Sequence, residues 1–144
     1  MQSSRDLVHT FFAAVAAGEL PDAMLAPDMK GWTTTQGEMP KADYQRAIRL
    51  LARMTRGPLN FSIDSVTSED DRVVAEVRSE GTLVNGEKYA NTYVFVFRIH
   101  DGRIASVAEH FNALIVRDKL LPLMQTFVQD AGSDEIRMGK GHNP

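Results

Sequence analysis

An alternation of apolar and polar side chains between residues 73 and 116 predicts three antiparallel strands. These strands span Val73 to Leu83, Lys88 to Ile99 and Ile104 to Val116. Asn85-Gly86 and Asp101-Gly102 separate them, and both dipeptides accept the left-handed backbone angles of a hairpin turn. The pattern therefore predicts a β-meander whose strands are each about ten residues long.

Helical periodicity precedes the meander. Apolar residues recur at helical spacing from Leu7 to Val15, after the candidate N-caps Ser3 and Ser4 and before Gly18. The remaining predicted elements are a short helix from Pro21, a strand plus a loop in Asp28 to Pro40, a helix from Lys41 to Thr55, a half-buried strand from Leu59 to Asp64, and a C-terminal helical segment around Leu120 to Val128. In chain order, a helix, a short helix, a loop that contains Trp32 and a long helix precede four strands.

The lengths of the two hairpin loops decide which side chains share a face, because antiparallel partners keep a constant sum of residue numbers. If Asn85-Gly86 forms a two-residue loop, Arg78 lies opposite Tyr93. If His100-Asp101-Gly102 forms a three-residue loop, Tyr93 lies opposite Glu109. Together these loops predict one face that carries Glu76, Arg78, Glu80, Asn91, Tyr93, Phe95, Val107, Glu109 and Phe111.

A slip of one residue in the first hairpin gives the opposite arrangement. It turns Glu76, Arg78 and Glu80 toward water and leaves the strand's apolar side chains, Val73 and Val77 among them, on the core face. Charged residues that alternate along a strand are typical of a solvated face. The residues alone leave both registers open.

Composition indicates a single globular domain. The chain has 144 residues, of which 43% are hydrophobic and 24% are charged. We expect one domain over residues 1–132 and a mobile tail over 133–144, where apolar residues are few. A net charge of -3 without a lysine- or arginine-rich run argues against a nucleic-acid partner. No segment is as apolar as a membrane span, so a cytoplasmic location is expected.

Neither a metal site nor a cofactor site is expected. The chain has no cysteine, which excludes disulfides, thiol nucleophiles and iron-sulfur clusters. The histidines are scattered over separate predicted elements. The acidic run from Glu69 to Asp71 lacks the spaced ligands and the glycine of a calcium loop, and no glycine-rich phosphate cradle is present.

Three stretches of the meander resemble the signatures of SnoaL-like proteins. They are Asn85 to Tyr93, Asp101 to Ile104 and Glu109 to Asn112. These proteins belong to the nuclear transport factor 2-like superfamily and are relatives of polyketide cyclases, ketosteroid isomerases and limonene epoxide hydrolases. The resemblance covers about residues 5 to 118. It implies an α+β cone, in which a strongly bent antiparallel or mixed sheet wraps around N-terminal helices and encloses an apolar pocket.

The resemblance also implies a catalytic site. An acid of the epoxide hydrolases stands where Glu109 stands, and their Arg-x-Asp pair stands where Glu76-x-Arg78 stands, with the charges in the opposite order. The final aspartate of the signature is Asn112 in this chain. The resemblance favours the register in which Arg78 points into the cone. The resulting catalytic set is Glu109 as general base, Arg78, Glu76 and Tyr93, and the ligand-binding set is Trp32, Glu80, Asn91, Phe95, Val107, Phe111 and Met54.

The expected function is binding of a small apolar molecule of polyketide, steroid or terpenoid type. As an enzyme, the protein would perform isomerisation, cyclisation, dehydration or epoxide opening without a cofactor. The alternatives are a structural ion-pair network without catalysis and a non-catalytic ligand-binding or dimerisation domain. A homodimer is expected through an outer sheet face that carries Ala90, Thr92, Val94, Val96, Ala108 and His110.

Overall fold

The computed structural model describes residues 3–127 and confirms the α+β class. In chain order the elements are α1 (Ser4–Ala17), a 3₁₀ turn (Asp22–Met24), β1 (Leu25–Thr33), β2 (Gly37–Pro40), α2 (Lys41–Met54), β3 (Asn60–Glu69), β4 (Arg72–Thr82), β5 (Lys88–His100) and β6 (Arg103–Phe111). A C-terminal helix follows, which is α-helical at Ala113–Ile115, π-helical at Val116–Leu120 and α-helical again over residues 121–127. The predicted mobile tail, residues 133–144, lies outside the described part of the chain.

The six strands form one curved, unclosed sheet in the order β2-β1-β6-β5-β4-β3. All neighbouring strands are antiparallel except β1 and β6, which are parallel. Helix α1 packs in the concave side, where the Phe11 ring meets the Phe97 ring edge-on at 5.0 Å and the Phe12 ring meets the Phe95 ring at 4.8 Å. Burial of these rings fixes the helix against the sheet.

The ends of α1 are those that the sequence predicts. The Ser3 hydroxyl accepts a hydrogen bond from the Asp6 backbone N–H at 3.1 Å, which satisfies one of the free donors of the first turn. Gly18 ends the helix with a φ of 88°, a left-handed conformation that glycine adopts without a Cβ penalty.

The first meander hairpin differs from its predicted register. Its loop has three residues, 84–86, because only Gly86 is left-handed, with a φ of 90°. The Asn85 side chain instead accepts a hydrogen bond from the Glu87 backbone N–H at 3.0 Å. Tyr93 therefore lies opposite Val77, one residue from the predicted partner. As a consequence, Glu76, Arg78 and Glu80 point to the convex face of the sheet.

The second hairpin also differs, but its faces are as predicted. Asp101 and Gly102 have φ values of 52° and 75°, so they form a two-residue loop rather than a three-residue loop. A bulge between Arg98 and Ile99 then shifts the pairing, and Tyr93 lies opposite Phe111. The net difference from the prediction is two residues, which keeps every side chain on the same face.

Strand β6 ends at Phe111 and not at Val116. The Asn112 side chain accepts a hydrogen bond from the Leu114 backbone N–H at 3.0 Å, and this N-cap starts the C-terminal helix. Among the described residues, no helix is long and apolar enough to cross a membrane.

Candidate functional site

A cavity of about 140 Å³ lies between the concave face of the sheet, the two long helices and the C-terminal helix. Phe11 of α1, Ile48 of α2, Phe95 of β5 and Leu120 of the C-terminal helix each form part of its wall. Most of the lining is apolar, as expected for a site that binds a small organic molecule. The polar groups in the wall are therefore the candidates for chemistry.

Glu109 is the ionisable acid of this cavity wall. Its backbone carbonyl accepts hydrogen bonds from the Thr34 backbone N–H at 3.1 Å and from the Thr34 hydroxyl at 3.2 Å. The same hydroxyl accepts a hydrogen bond from the Phe111 backbone N–H at 3.1 Å. These bonds tie the end of β6 to the loop after β1, so the position of the carboxylate is fixed by both strands.

The Tyr44 hydroxyl donates a hydrogen bond to Oε2 of Glu109. Tyr44 belongs to α2 and is 1% exposed. Its ring lies directly on Gly31 of β1, where an added Cβ would be 2.4 Å from Cδ1 of the ring. Only glycine permits this approach. The glycine in β1 is thus what allows a helix side chain to reach the carboxylate.

The surroundings of Glu109 favour its protonated form. Burial raises the pKa of Glu109 to about 7, although the hydrogen bond from Tyr44 lowers it. None of the described residues that line the cavity is a lysine, an arginine or a histidine. Burial, reinforced by the Glu109 charge, raises the pKa of Tyr44 well above its ordinary value, so Tyr44 stays a donor. A carboxyl that is about half ionised at neutral pH suits a general base.

The lining residues Tyr89 and Tyr93 belong to a hydrogen-bonded set that we call the tyrosine network: Ser79, Tyr89, Asn91 and Tyr93. The Ser79 and Tyr93 hydroxyls are 2.7 Å apart, the Tyr89 and Tyr93 hydroxyls are 3.4 Å apart, and the Asn91 amide donates to the Tyr89 oxygen at 3.3 Å. Burial raises the pKa of both tyrosines. When Ser79 donates to Tyr93 and Tyr93 donates to Tyr89, the Tyr89 hydrogen is left for an acceptor in the cavity.

Several predicted site residues do come together here. Glu109, Tyr93, Phe95, Phe111 and Met54 line the cavity. Two others lie on the concave face without lining it: Asn91 belongs to the tyrosine network, and Val107 is buried in the core opposite Phe97.

The predicted acid–guanidinium–acid set does not form. Arg78 makes two hydrogen bonds of 2.8 Å to Asp64 on the convex face, and Glu76 accepts a hydrogen bond from the Ser65 hydroxyl at 2.6 Å. Glu80 is exposed on the same face. The cause is the three-residue loop of the first hairpin, which turns these side chains away from the cavity.

Trp32 is likewise on the convex face rather than in the pocket. It pairs with Ala108 across the parallel β1–β6 ladder, so its neighbours Gly31 and Thr33 face inward. The Trp32 ring contacts the His110 ring in a tilted arrangement, with 4.7 Å between the ring centroids. Because pairing of β1 with β6 joins distant parts of the chain, the local pattern around Trp32 does not reveal the face.

Sequence reasoning missed Tyr44, Tyr89 and Ser79. Tyr44 stands in the apolar stripe of α2 and looks like a core residue. The sequence signal for Tyr44 is Gly31, because a glycine inside a strand often marks a position where another group lies close to the backbone. Tyr89 shares a face with Asn91 and Tyr93 by strand alternation alone, whereas Ser79 reaches that face only in the observed register, in which it lies opposite Asn91.

Comparisons with known proteins agree with this architecture. The family model for the SnoaL-like domain matches residues 8–107. A nuclear transport factor 2-like protein from Anabaena variabilis is 25% identical, and the match covers 76% of this chain and 86% of that chain with a TM-score of 0.68. No curated protein matches the chain.

Two further solved structures are similar in fold alone. One is described as a proposed isomerase from Bacillus subtilis, 19% identical over 80% of this chain and 90% of that chain, with a TM-score of 0.70. The other is described as a proposed SnoaL-like polyketide cyclase from Jannaschia sp. CCS1, 16% identical over 78% of this chain and 88% of that chain, with a TM-score of 0.67.

Proposed function

Since the chain belongs to the SnoaL-like family, we propose that it binds a small, largely apolar organic molecule in the cavity and performs cofactor-free acid–base chemistry on it. Glu109 is the general base of this proposal. The observation that carries it is a half-buried carboxyl in the cavity wall whose Oε2 accepts a hydrogen bond from Tyr44, with no cationic side chain among the described lining residues.

The proposed step is a proton transfer from a carbon next to a carbonyl group. The C–H bond breaks, its proton moves to Oε1 of Glu109, and the electron pair moves onto the carbonyl oxygen to give an enolate. Tyr89 stabilises the developing oxyanion by donating its hydroxyl hydrogen, supported by Tyr93 and Ser79 behind it. When the substrate also carries a C=C bond next to that carbon, the enolate extends over it, and return of the proton from Glu109 to the far carbon shifts the double bond and completes an isomerisation.

The position of Arg78 narrows the range of reactions. Epoxide opening needs an acid to protonate the leaving oxygen and a base to activate water. Glu76 and Arg78, which the resemblance offers as partners of Glu109 in such a reaction, lie on the convex face outside the cavity. Isomerisation, cyclisation and dehydration each begin with removal of a proton, which one carboxylate can perform. Glu109 with the tyrosine network therefore supports these three better than epoxide opening.

Deuterium exchange tests the proposal without knowledge of the natural substrate. Small ketones and enones are incubated with the protein in deuterium oxide, and loss of their carbon-bound protons is followed by NMR. The wild type is expected to accelerate exchange, and Glu109→Gln is expected to lower that rate by at least about a hundredfold. The matched control is Glu76→Gln, which alters a carboxylate on the convex face and should leave the rate unchanged. An exchange rate in Glu109→Gln equal to that of the wild type would show that Glu109 is not the general base.

A homodimer through the convex face is a second proposal. Val94 is 39% exposed on this face, and the rings of Trp32 and His110, which contact each other, lie on the same surface. In a symmetric dimer the same patch of each subunit would contact its partner, and these side chains would be covered. Sedimentation at micromolar concentration should give about twice the monomer mass of 16.0 kDa, and a single species of monomer mass would exclude the dimer.

A further inference from the structure

We propose that the substrate is an uncharged molecule that buries a single six-membered ring in the cavity, with its substituents leaving beside Thr35 and Gln36. The inference rests on the proposed function and narrows it. It follows from the size of the cavity, the charges in its wall and the exposure of its lining residues.

The size of the cavity sets the upper limit. Its volume is about 140 Å³, whereas a protein cavity of about 150 Å³ lined by apolar side chains holds one benzene molecule. A fused two-ring or four-ring skeleton needs more space than this wall provides. The wall also packs tightly against the core, since Phe11 and Ile48 are 0% and 5% exposed, and well-packed cores resist expansion. A steroid-sized substrate is therefore disfavoured.

The charges in the wall select an uncharged ligand. Glu109 is the ionisable acid, and the described lining residues offer no cation that could pair with a carboxylate or a phosphate group of the ligand. An anion would lose its hydration and meet a second negative charge. A cation would pair with Glu109 and occupy the group that acts as the base. The hydroxyls of Tyr89 and Tyr93 favour a ligand with a hydrogen-bond acceptor such as a carbonyl oxygen.

The exposure of the lining residues points to an opening of the cavity at the β1–β2 turn. Among the described lining residues, only Thr35 and Gln36 are exposed, whereas Val116 and Leu120 of the C-terminal helix are buried. The Gln36 backbone N–H donates to the Thr33 hydroxyl at 3.1 Å, which holds the turn in place. A substituent on the ring can pass this turn into water, and the Gln36 amide is available to a polar group on it.

A matched set of ligands tests size and charge separately. Cyclohexenone carries one ring and a carbonyl group, and octalone presents the same enone with a second fused ring. Cyclohexanecarboxylate and cyclohexylamine keep one ring and add a negative or a positive charge. Calorimetric titration of the full chain should give cyclohexenone a Kd at least about tenfold lower than that of each of the other three compounds.

A variant that enlarges the cavity provides the control. Leu120→Ala removes side-chain volume from the wall and should improve octalone binding by at least about fivefold without a matching gain for cyclohexenone. A thermal melt of the variant establishes that it is folded before binding is measured. Octalone binding to the wild type as tightly as cyclohexenone would overturn the single-ring limit, and tighter binding of cyclohexylamine would overturn the choice of an uncharged ligand. Absence of binding by all four compounds would also overturn the inference.

Ligand binding tests the ring-sized pocket and proton exchange tests the general base, so the two proposals can fail separately. Cyclohexenone that binds as expected but does not exchange its protons in deuterium oxide would support the ring-sized pocket and refute the general base. Octalone that exchanges its protons faster than cyclohexenone would support the general base and refute the ring-sized pocket.

Discussion

The two faces of the same sheet each hold a hydrogen-bonded carboxylate, and the two carboxylates differ in character. On the convex face, Asp64 pairs with Arg78, and the side chains are 45% and 58% exposed. The hydrogen bonds from Arg78 lower the pKa of Asp64. On the concave face, Glu109 pairs with the neutral Tyr44, and burial raises its pKa to about 7. Burial and the charge of the partner, rather than the presence of a partner, decide which carboxyl can exchange a proton at neutral pH.

The two pairs should also contribute differently to stability. An exposed ion pair contributes little because water screens both charges. The Glu109 carboxyl has a folded-state pKa of about 7 against an ordinary value of 4.5. Between these two values the folded state binds more protons than the unfolded state, so stability is lost as pH rises through this window. The ionised form of Glu109 therefore destabilises the fold.

The largest expected effect is the response of stability to Glu109→Gln. At about pH 8 the substitution removes a half-buried charge and should raise the free energy of unfolding by up to about 3 kcal/mol. Well below pH 4.5, where the wild-type carboxyl is protonated in both states, the two proteins should be equally stable. Urea denaturation across this pH range measures the difference. If Glu109→Gln were less stable than the wild type at about pH 8, the ionised carboxylate would have a stabilising partner in the fold.

The next effect concerns the approach of Tyr44 to β1. Gly31→Ala places a Cβ 2.4 Å from Cδ1 of the ring, and overpacking of this kind costs about 1–3 kcal/mol. The displaced ring should also lose its hydrogen bond to Glu109. The cost should largely disappear when Gly31→Ala is combined with Tyr44→Ala, because the ring is then absent. Equal costs in the two backgrounds, measured by denaturation, would show that the contact with Tyr44 is unimportant.

The smallest effect is expected on the convex face. Arg78→Met removes the partner of Asp64, yet both side chains are about half exposed, so water replaces the lost hydrogen bonds. The melting temperature and the deuterium exchange rate of the variant should match those of the wild type. A large loss of exchange would return Arg78 to the catalytic site, as the epoxide hydrolase resemblance implied.

The sequence predicts the site residues of the second hairpin correctly and those of the first hairpin on the wrong face, for a geometric reason. In the second hairpin the register differed by two residues, so Tyr93, Phe95 and Glu109 still share the concave face. In the first hairpin the register differed by one residue, and Glu76 and Arg78 changed face. The α+β class, the helices and the meander depend on long periodic patterns, which tolerate such errors.

The missing information lies in contacts between distant segments. The Val84 N–H of the first hairpin loop donates to the Met54 carbonyl at 2.9 Å, and the Arg56 side chain donates to the Val84 carbonyl at 3.0 Å. These bonds favour the three-residue loop, and the dipeptide Asn85-Gly86 does not reveal them. The partners Tyr44 and Glu109 are separated by 65 positions, so only the folded chain brings them together.

Direct titration of the Glu109 carboxyl is the measurement that separates the two faces most clearly. Heteronuclear NMR of the protein labelled at its glutamate carboxyl carbons follows each side chain with pH, and the signal absent from Glu109→Gln assigns the residue. A midpoint of about 7 is expected, rising further in Tyr44→Phe because the hydrogen bond that lowers the pKa is lost. A midpoint near the ordinary value of 4.5 would mean that Glu109 is solvated like the acids of the convex face, and would contradict its role as a general base.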